Sequence, residues 1–202
     1  MERKITGLET VGKGRKRVYI NDEPSFLLYD SELRNLGLKE DSEMTPQREV
    51  DIKVVLVKRA RLRCMNILTK MDKTTWQLRR KLEEGEYPED VIEDAIEYVR
   101  SFHYIDDLRY AQNYIESRSG SKSRRMIERE LAAKGVDSEV IRQAFEEAQP
   151  VDATAQILRW MEKKHVDPQQ ADRRDWDKFF RFLLNKGYSW NDIRSAIPTN
   201  FD

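Results

Sequence analysis

Apolar side chains recur in three stretches of this chain at one set of offsets. Counting from Thr74, they fall four, eight, thirteen, eighteen and twenty-two positions on, at Leu78, Leu82, Tyr87, Ile92 and Ile96, with Ala95 at twenty-one. From Ser123 the same offsets meet Ile127, Leu131, Val136, Ile141 and Phe145, with Ala144. From Asp175 they meet Phe179, Leu183, Tyr188, Ile193 and Ile197, with Ala196. Steps of four keep side chains on one helix face, so each stretch reads as a pair of amphipathic helices. A unit recurring at about fifty residues marks a helical array, which presents long surfaces and rarely a buried catalytic pocket.

Start and stop signals frame these pairs. Thr74, Ser123 and Asp175 are residue types whose oxygens can accept the unpaired amides of a first helical turn. Gln77 adds capping-box spacing to Thr74. Gly135 and Gly187 fit left-handed stops between paired helices. The first copy departs here, because Gly85 comes one position early and Glu86 takes the matching place. Its turn is expected to differ. Thr45-Pro46 reads as a further helix start, followed by one long or broken helix with apolar spacing from Val50 to Met71. Helices are predicted near 75–84, 89–102, 107–118, 124–134, 138–148, 151–165, 176–186 and 190–197, with a junction at Gln149-Pro150.

The first 45 or so residues follow another rule. Arg17-Val18-Tyr19-Ile20 and Ser25-Phe26-Leu27-Leu28-Tyr29 are β-prone runs around the turn cluster Asn21-Asp22-Glu23-Pro24, which predicts a hairpin. Ile5 to Val11 can add a strand through the turn Gly12-Lys13-Gly14, making a small meander. Asp30-Ser31-Glu32 can then open a short helix ended by Gly37. The reading is a mainly α protein: a β-containing extension over 1–45, then helical repeats over 46–106, 107–150 and 151–202.

Composition sharpens this picture. Apolar residues make up 39% of the 202 residues and charged residues 37%, which suits thin helices sharing modest cores. No apolar run approaches the ~20 residues of a membrane span. The start, Met1-Glu2-Arg3-Lys4, lacks the apolar stretch of a signal peptide. Cys64 is the single cysteine, so no internal disulfide can form, and a cytoplasmic setting is expected. Cys64 also shares an apolar stripe with Ile67, Leu68 and Met71 and is expected in the core.

Net charge is zero, yet the charges are segregated. Acid collects from Glu83 to Glu97, while basic runs occur at Lys13 to Arg17, around Lys58, at Arg79-Arg80-Lys81 and from Arg118 to Arg129. Segregated patches let a neutral protein meet a polyanion through one face. The candidate binding residues are Lys58, Arg59, Arg61, Arg63, Arg79, Arg80, Arg118, Lys122, Arg124 and Arg125. Arg59 and Arg63 share a helix face. Ser119-Gly120-Ser121 reads as a flexible link inside the last run.

Catalytic chemistry finds little support. Gly7-x4-Gly12-Lys13 approaches a phosphate-binding loop, but Gly14 stands where Ser or Thr must hold magnesium, and a β-prone run follows where a helix must begin. His103 and His165 are the only histidines, and no Cys or His cluster has metal spacing, so neither a metal nor another cofactor is expected. Asp106-Asp107 reads as a helix start before Leu108 rather than a magnesium pair. Tyr104, Tyr110, Tyr114, Trp160, Phe179, Phe180 and Phe182 have the chemistry to stack bases, but at helical spacing core packing is the stronger reading. Phe182 and Trp190 lie off the repeated positions and are the better candidates for exposed contact.

The run Tyr104-Ile105-Asp106-Asp107-Leu108-Arg109-Tyr110-Ala111 resembles the Tyr-Leu-Asp-Asp-x-Arg-Phe-Ala signature of the RecX family, small bacterial modulators of the RecA recombinase. Tyr114-Ile115-Glu116-Ser117-Arg118, the pattern from Arg124-Arg125 through Lys134-Gly135-Val136, and Phe182-Leu183-Leu184 with Gly187-Tyr188 and Asp192-Ile193 extend the likeness. It covers about 60–202, and residues 1–45 are similar to the strand-containing extension of some members. The resemblance implies an elongated, curved array of three tandem three-helix repeats. It implies RecA and its filament on DNA as partners, direct contact with single- or double-stranded DNA, and inhibition of ATP hydrolysis and strand exchange. A monomer is expected. A stand-alone DNA binder is the alternative, and a nuclease or nucleotidase is the weakest reading.

Overall fold

Strands β1 (Ile5–Thr10), β2 (Arg15–Ile20) and β3 (Glu23–Tyr29) form an antiparallel meander in the order β1-β2-β3. The β2–β3 hairpin closes through Asn21 and Asp22, both at positive φ (51° and 70°), the two-residue turn whose twist matches its strands. This computed structural model describes residues 3–148 and 152–197. The expected junction at Gln149-Pro150 lies outside them.

Ten helices follow among the described residues: α1 (Asp30–Asn35), α2 (Pro46–Leu68), α3 (Thr75–Glu83), α4 (Glu89–Ser101), α5 (Asp107–Arg118), α6 (Arg124–Ala133), α7 (Ser138–Glu147), α8 (Ala153–Lys163), α9 (Arg173–Asn185) and α10 (Trp190–Ala196). Helix α2 is unbroken and stops at Leu68, short of Met71. Thr45 caps it by accepting the Arg48 amide at 3.3 Å, with Pro46 in the first turn. Thr74 and Gln77 close the predicted capping box on α3. Ser123 caps α6 by accepting the Met126 amide at 3.2 Å. The third expected cap needs correction. Helix α9 starts one turn early, capped by Asp172, and Asp175 is the returning acid of a capping box.

The chain divides into two compact units, Met1–Asp106 and Asp107–Asp202. In the first, the apolar face of the sheet (Val18, Phe26, Leu28) shares one core with Leu56, Ala60 and Cys64 of α2 and with the buried sides of α3 and α4. The second unit holds two cores, one among α5–α7 and one among α8–α10. In each repeat the first and third helices pack against one another: α2 on α4, α5 on α7, α8 on α10. Every apolar and alanine position of the threefold template is buried except Tyr87, which is half-buried at the core edge. Leu82, Leu131 and Leu183 stand at one offset and are 0% exposed, so truncating any of them to alanine is expected to cost about 2–5 kcal/mol.

The helix stops share one geometry. At Glu86, His103, Gly135, His165 and Gly187 the chain turns left-handed, with φ between 54° and 87°. At each, that residue's amide donates three residues back and the next amide donates five back, as in Tyr104 to Val99 and Tyr188 to Leu183. Both histidines of the chain are therefore helix-ending residues, exposed to solvent.

Candidate binding surfaces

The basic residues of the first repeat differ sharply in what holds them. Arg59 is turned inward from α2. Its guanidinium donates to Glu32 at 2.5 Å, to the Leu27 carbonyl at 2.6 Å and to the Tyr87 hydroxyl at 3.2 Å, between the rings of Tyr29 and Tyr87. It fastens sheet and repeat together. Arg61 pairs with Asp94 at 2.7 Å and lies 4.5 Å from the Tyr98 ring centre. Arg79 pairs with Glu89 and Glu93 of α4. Arg80 is exposed, pairs with Glu83 at 3.2 Å and stands over Trp76. Among the described residues, Lys58 is exposed and takes part in no ion pair, and Arg63 has its Nε buried with no hydrogen-bond partner. Arg59 and Arg63 do share a side of α2, but of the two only Arg63 has no contacting carboxylate among the described residues.

In the second repeat the charges gather around Tyr114. Its hydroxyl donates to Glu130 at 2.8 Å, and Lys122 pairs with the same carboxylate. Arg118 and Lys134 approach the Tyr114 ring at 5.6 and 5.4 Å. Burial, and then the Glu130 carboxylate, push the Tyr114 hydroxyl above its ordinary pKa, so it stays a proton donor at neutral pH. Arg124 pairs with Glu128 at 2.7 Å and lies over Phe145. Arg125 and Arg129, one turn apart on the exposed face of α6, carry no ion pair or hydrogen bond among the described residues. Arg129 belongs to the run seen in the sequence and joins Arg125 as the freest pair of cations in this repeat.

The Ser119-Gly120-Ser121 link is not loose. Buried Gln156 of α8 donates to the carbonyls of Ser119 and Lys122, while its side-chain oxygen accepts from the Tyr188 hydroxyl at 2.8 Å. Ser123 donates to the Lys186 carbonyl at 3.0 Å while it caps α6. Third-repeat residues thus hold both ends of the loop that carries Arg118 to Arg125. No local sequence signal marks Gln156 as the anchor, beyond a polar residue beside Ile157 on an apolar face.

The aromatic residues divide by burial. Phe179 is core, and Trp160, Phe180 and Phe182 are half-buried around it. Phe182 meets Trp160 edge-on at 5.1 Å, which corrects its expected role as a free contact. Trp190 is 52% exposed and Tyr104 47%. Cys64 is fully buried, and burial raises its thiol to about 11, so it packs as a small apolar group. Among the described residues no His, Cys, Asp and Glu group could hold a metal ion, and no helix is long and apolar enough to cross a membrane.

Family models place these repeats. Those described as RecX first, second and third three-helix domains match residues 60–98, 106–144 and 152–197 in order. The chain is 31% identical over 134 residues to a "Regulatory protein RecX" of Vibrio vulnificus (strain CMCP6), covering 66% of this chain and 87% of that one. The chain belongs to the RecX family. A longer likeness, 28% over 203 residues, is to the "Regulatory protein RecX" of Clostridium perfringens (strain SM101 / Type A), covering 96% of this chain and 94% of that protein. A solved structure described as "Crystal structure of regulatory protein RecX" has the same fold, with a TM-score of 0.61 at 24% identity and coverage of 96% and 98%. The three matched RecX domains correspond to the helices whose cores were traced above. The pinned loop lies in the second domain and its anchors in the third.

Proposed function

We propose that this RecX-family chain regulates RecA. It binds RecA and the filament that RecA forms on DNA, and lowers ATP hydrolysis and strand exchange by limiting or destabilising that filament. The observation that carries the reading is three RecX domains in tandem, in a chain similar over nearly its whole length to regulatory proteins of that name. The exposed Arg125–Arg129 pair and the anchored loop before it supply a stiff cationic surface for the DNA phosphates or acidic parts of the filament. It acts in the cytoplasm as a monomer, by contact rather than by bond-making chemistry.

The test is RecA-dependent ATP hydrolysis on single-stranded DNA with increasing protein. Turnover is expected to fall with dose. A folded sample that leaves turnover unchanged at every ratio rejects the reading. Changing Arg125 and Arg129 together to Glu is expected to weaken DNA-filament binding, to leave the melting temperature unchanged, and to flatten the salt dependence of affinity by about one unit of slope per lost phosphate contact. If free DNA binds tightly and RecA has no effect on it, the chain is a stand-alone DNA binder instead.

A further inference from the structure

Helix α2 leaves an apolar lane uncovered. Val50, Val54 and Leu62 are 55%, 62% and 60% exposed, and with Val57 and Met65 they line a groove beside Tyr98 of α4. From Val50 to Leu62 the lane follows the helix for about 18 Å, roughly three turns. Leu62 is also the edge of a second groove around the C-terminal end of α2. Arg63, Lys70, Lys73 and Lys81 line that groove together with exposed Met71, and among the described residues no carboxylate lines it. Arg59 and Lys81 do hold carboxylates from outside it, Glu32 and Glu84. Among the described residues Lys70 is exposed without an ion pair, and the buried Nε of Arg63 has no hydrogen-bond partner. An apolar lane thus runs into a cationic pocket within one unit of the protein.

We propose that this surface is the docking site for an acidic amphipathic helix of a protein partner. The partner's apolar side chains lie along Val50, Val54 and Leu62, and its carboxylates reach Lys58 and the pocket of Arg63, Lys70 and Lys73. The pairing is the helix-in-groove mode, in which side chains one turn apart fill a groove and charges at the rim set direction. A second copy of this chain fits poorly. A two-fold contact centred on the lane brings Lys58 against its own counterpart, because Lys58 stands near the lane's midpoint without a carboxylate of its own. Nucleic acid fits poorly as well. The exposed groups along the lane are Val50, Val54 and Leu62, and the exposed ring at the cationic pocket, Tyr29, flanks Arg59 as Tyr87 does, at 5.2 and 5.3 Å. Bases need open aromatic faces on which to stack. The assignment to RecA as the owner of this helix rests on the function proposed above; the surface chemistry does not.

The experiment uses the full chain and a fluorescein-labelled synthetic helix of about 18 residues, with leucines at one-turn spacing and glutamates clustered at one end. Saturable anisotropy is expected. Val54→Glu, Leu62→Glu and the pair Lys70→Glu with Lys73→Glu are each expected to weaken binding about tenfold or more. All four residues lie outside the buried core, and unchanged melting temperatures show that the variants are folded. A peptide with lysine in place of glutamate is expected not to bind. Equal affinity for both peptides, or variants that bind like the unaltered chain, overturns the proposal. Displacement by oligothymidylate that ignores Val54→Glu and Leu62→Glu overturns it in favour of nucleic acid. A dimer that Val54→Glu dissociates overturns it in favour of a second copy. The same variants are then tested on RecA filaments. An unaltered chain that binds the peptide but neither binds nor inhibits RecA sinks the RecA reading alone. Variants that bind peptide and RecA normally, beside an unaltered chain that inhibits RecA, sink the docking site alone.

Discussion

The first and third repeats make the same left-handed helix stop with opposite means. In the first, Glu86 adopts φ 54°, and its carboxylate is gripped by Arg17 of β2 through two hydrogen bonds of 2.6 and 2.7 Å. In the third, Gly187 adopts φ 87°, and the bare backbone there receives the start of α6: a Cβ on Gly187 would lie 2.5 Å from the Ser123 oxygen. A side chain is tolerated where the turn faces a strand side chain able to bind it, here Arg17 of the central strand β2. It is excluded where a neighbouring helix must dock on the turn itself. The comparison explains why the template breaks at Glu86 without losing the turn.

The largest expected effect follows from the closer contact. Gly187→Ala places a Cβ in the left-handed region and against the cap of α6, and relief requires moving Ser123 or the backbone of Met126. Left-handed strain of about 1–2 kcal/mol and overpacking of about 1–3 kcal/mol put the loss near 3 kcal/mol. Urea unfolding with unchanged slope measures it. A loss below about 0.5 kcal/mol, well inside the range of neutral surface changes, shows that the two repeats do not need this contact.

Next comes the anchor of the loop. Gln156→Leu leaves the carbonyls of Ser119 and Lys122 and the Tyr188 hydroxyl without their partner in a site that is 5% exposed at residue 156. An orphaned buried polar group costs about 1–3 kcal/mol, so a loss of about 2 kcal/mol is expected. Amide exchange of residues 118–123 is expected to rise more than that of α3, which belongs to the other unit. Uniform change in both regions means the anchor does not act locally.

The sequence carries the repeated cores almost completely, because helical periodicity reports which face is buried. It carries less where two local readings compete. Asp172 and Asp175 are both able to cap a helix, and only their reciprocal bonds decide which one does. It carries least where a partner is distant along the chain. Arg59 follows the spacing of a surface cation, yet Glu32 and Leu27 hold it inside. Ser119-Gly120-Ser121 has the composition of a flexible link, yet a glutamine 37 residues away from Ser119 holds it. For the binding surfaces, residue type shows where charge accumulates, but not which charges other side chains already answer.

A smaller effect separates the two kinds of stop by pH. The paired hydrogen bonds from Arg17 hold the Glu86 carboxyl below its ordinary value of 4.5, and bonds from Tyr19 and then Arg17 do the same for Glu9. A carboxyl depressed in the folded state adds stability that is present above its unfolded pKa and lost as pH falls through the folded one. Melting temperature should therefore decline below about pH 4.5, and Arg17→Ala should flatten that decline while lowering the plateau at pH 7. Parallel curves for the two proteins would place the acid sensitivity elsewhere.

The smallest effect is the most discriminating. Glu86→Gly removes the left-handed strain of a non-glycine residue, worth about 1–2 kcal/mol, but adds chain entropy of about 0.5–1 kcal/mol and loses the Arg17 contact. The pair is only partly buried, with side chains 28% and 37% exposed, so solvent screening keeps its own contribution toward the low end for ion pairs. These opposing changes should leave stability within about 1 kcal/mol of the unaltered protein. The same exchange run in reverse at Gly187 should be far more costly. Should Glu86→Gly prove as damaging as Gly187→Ala, the glutamate would be holding more than a turn, and the tie from β2 to the first repeat would be the structural centre of that unit.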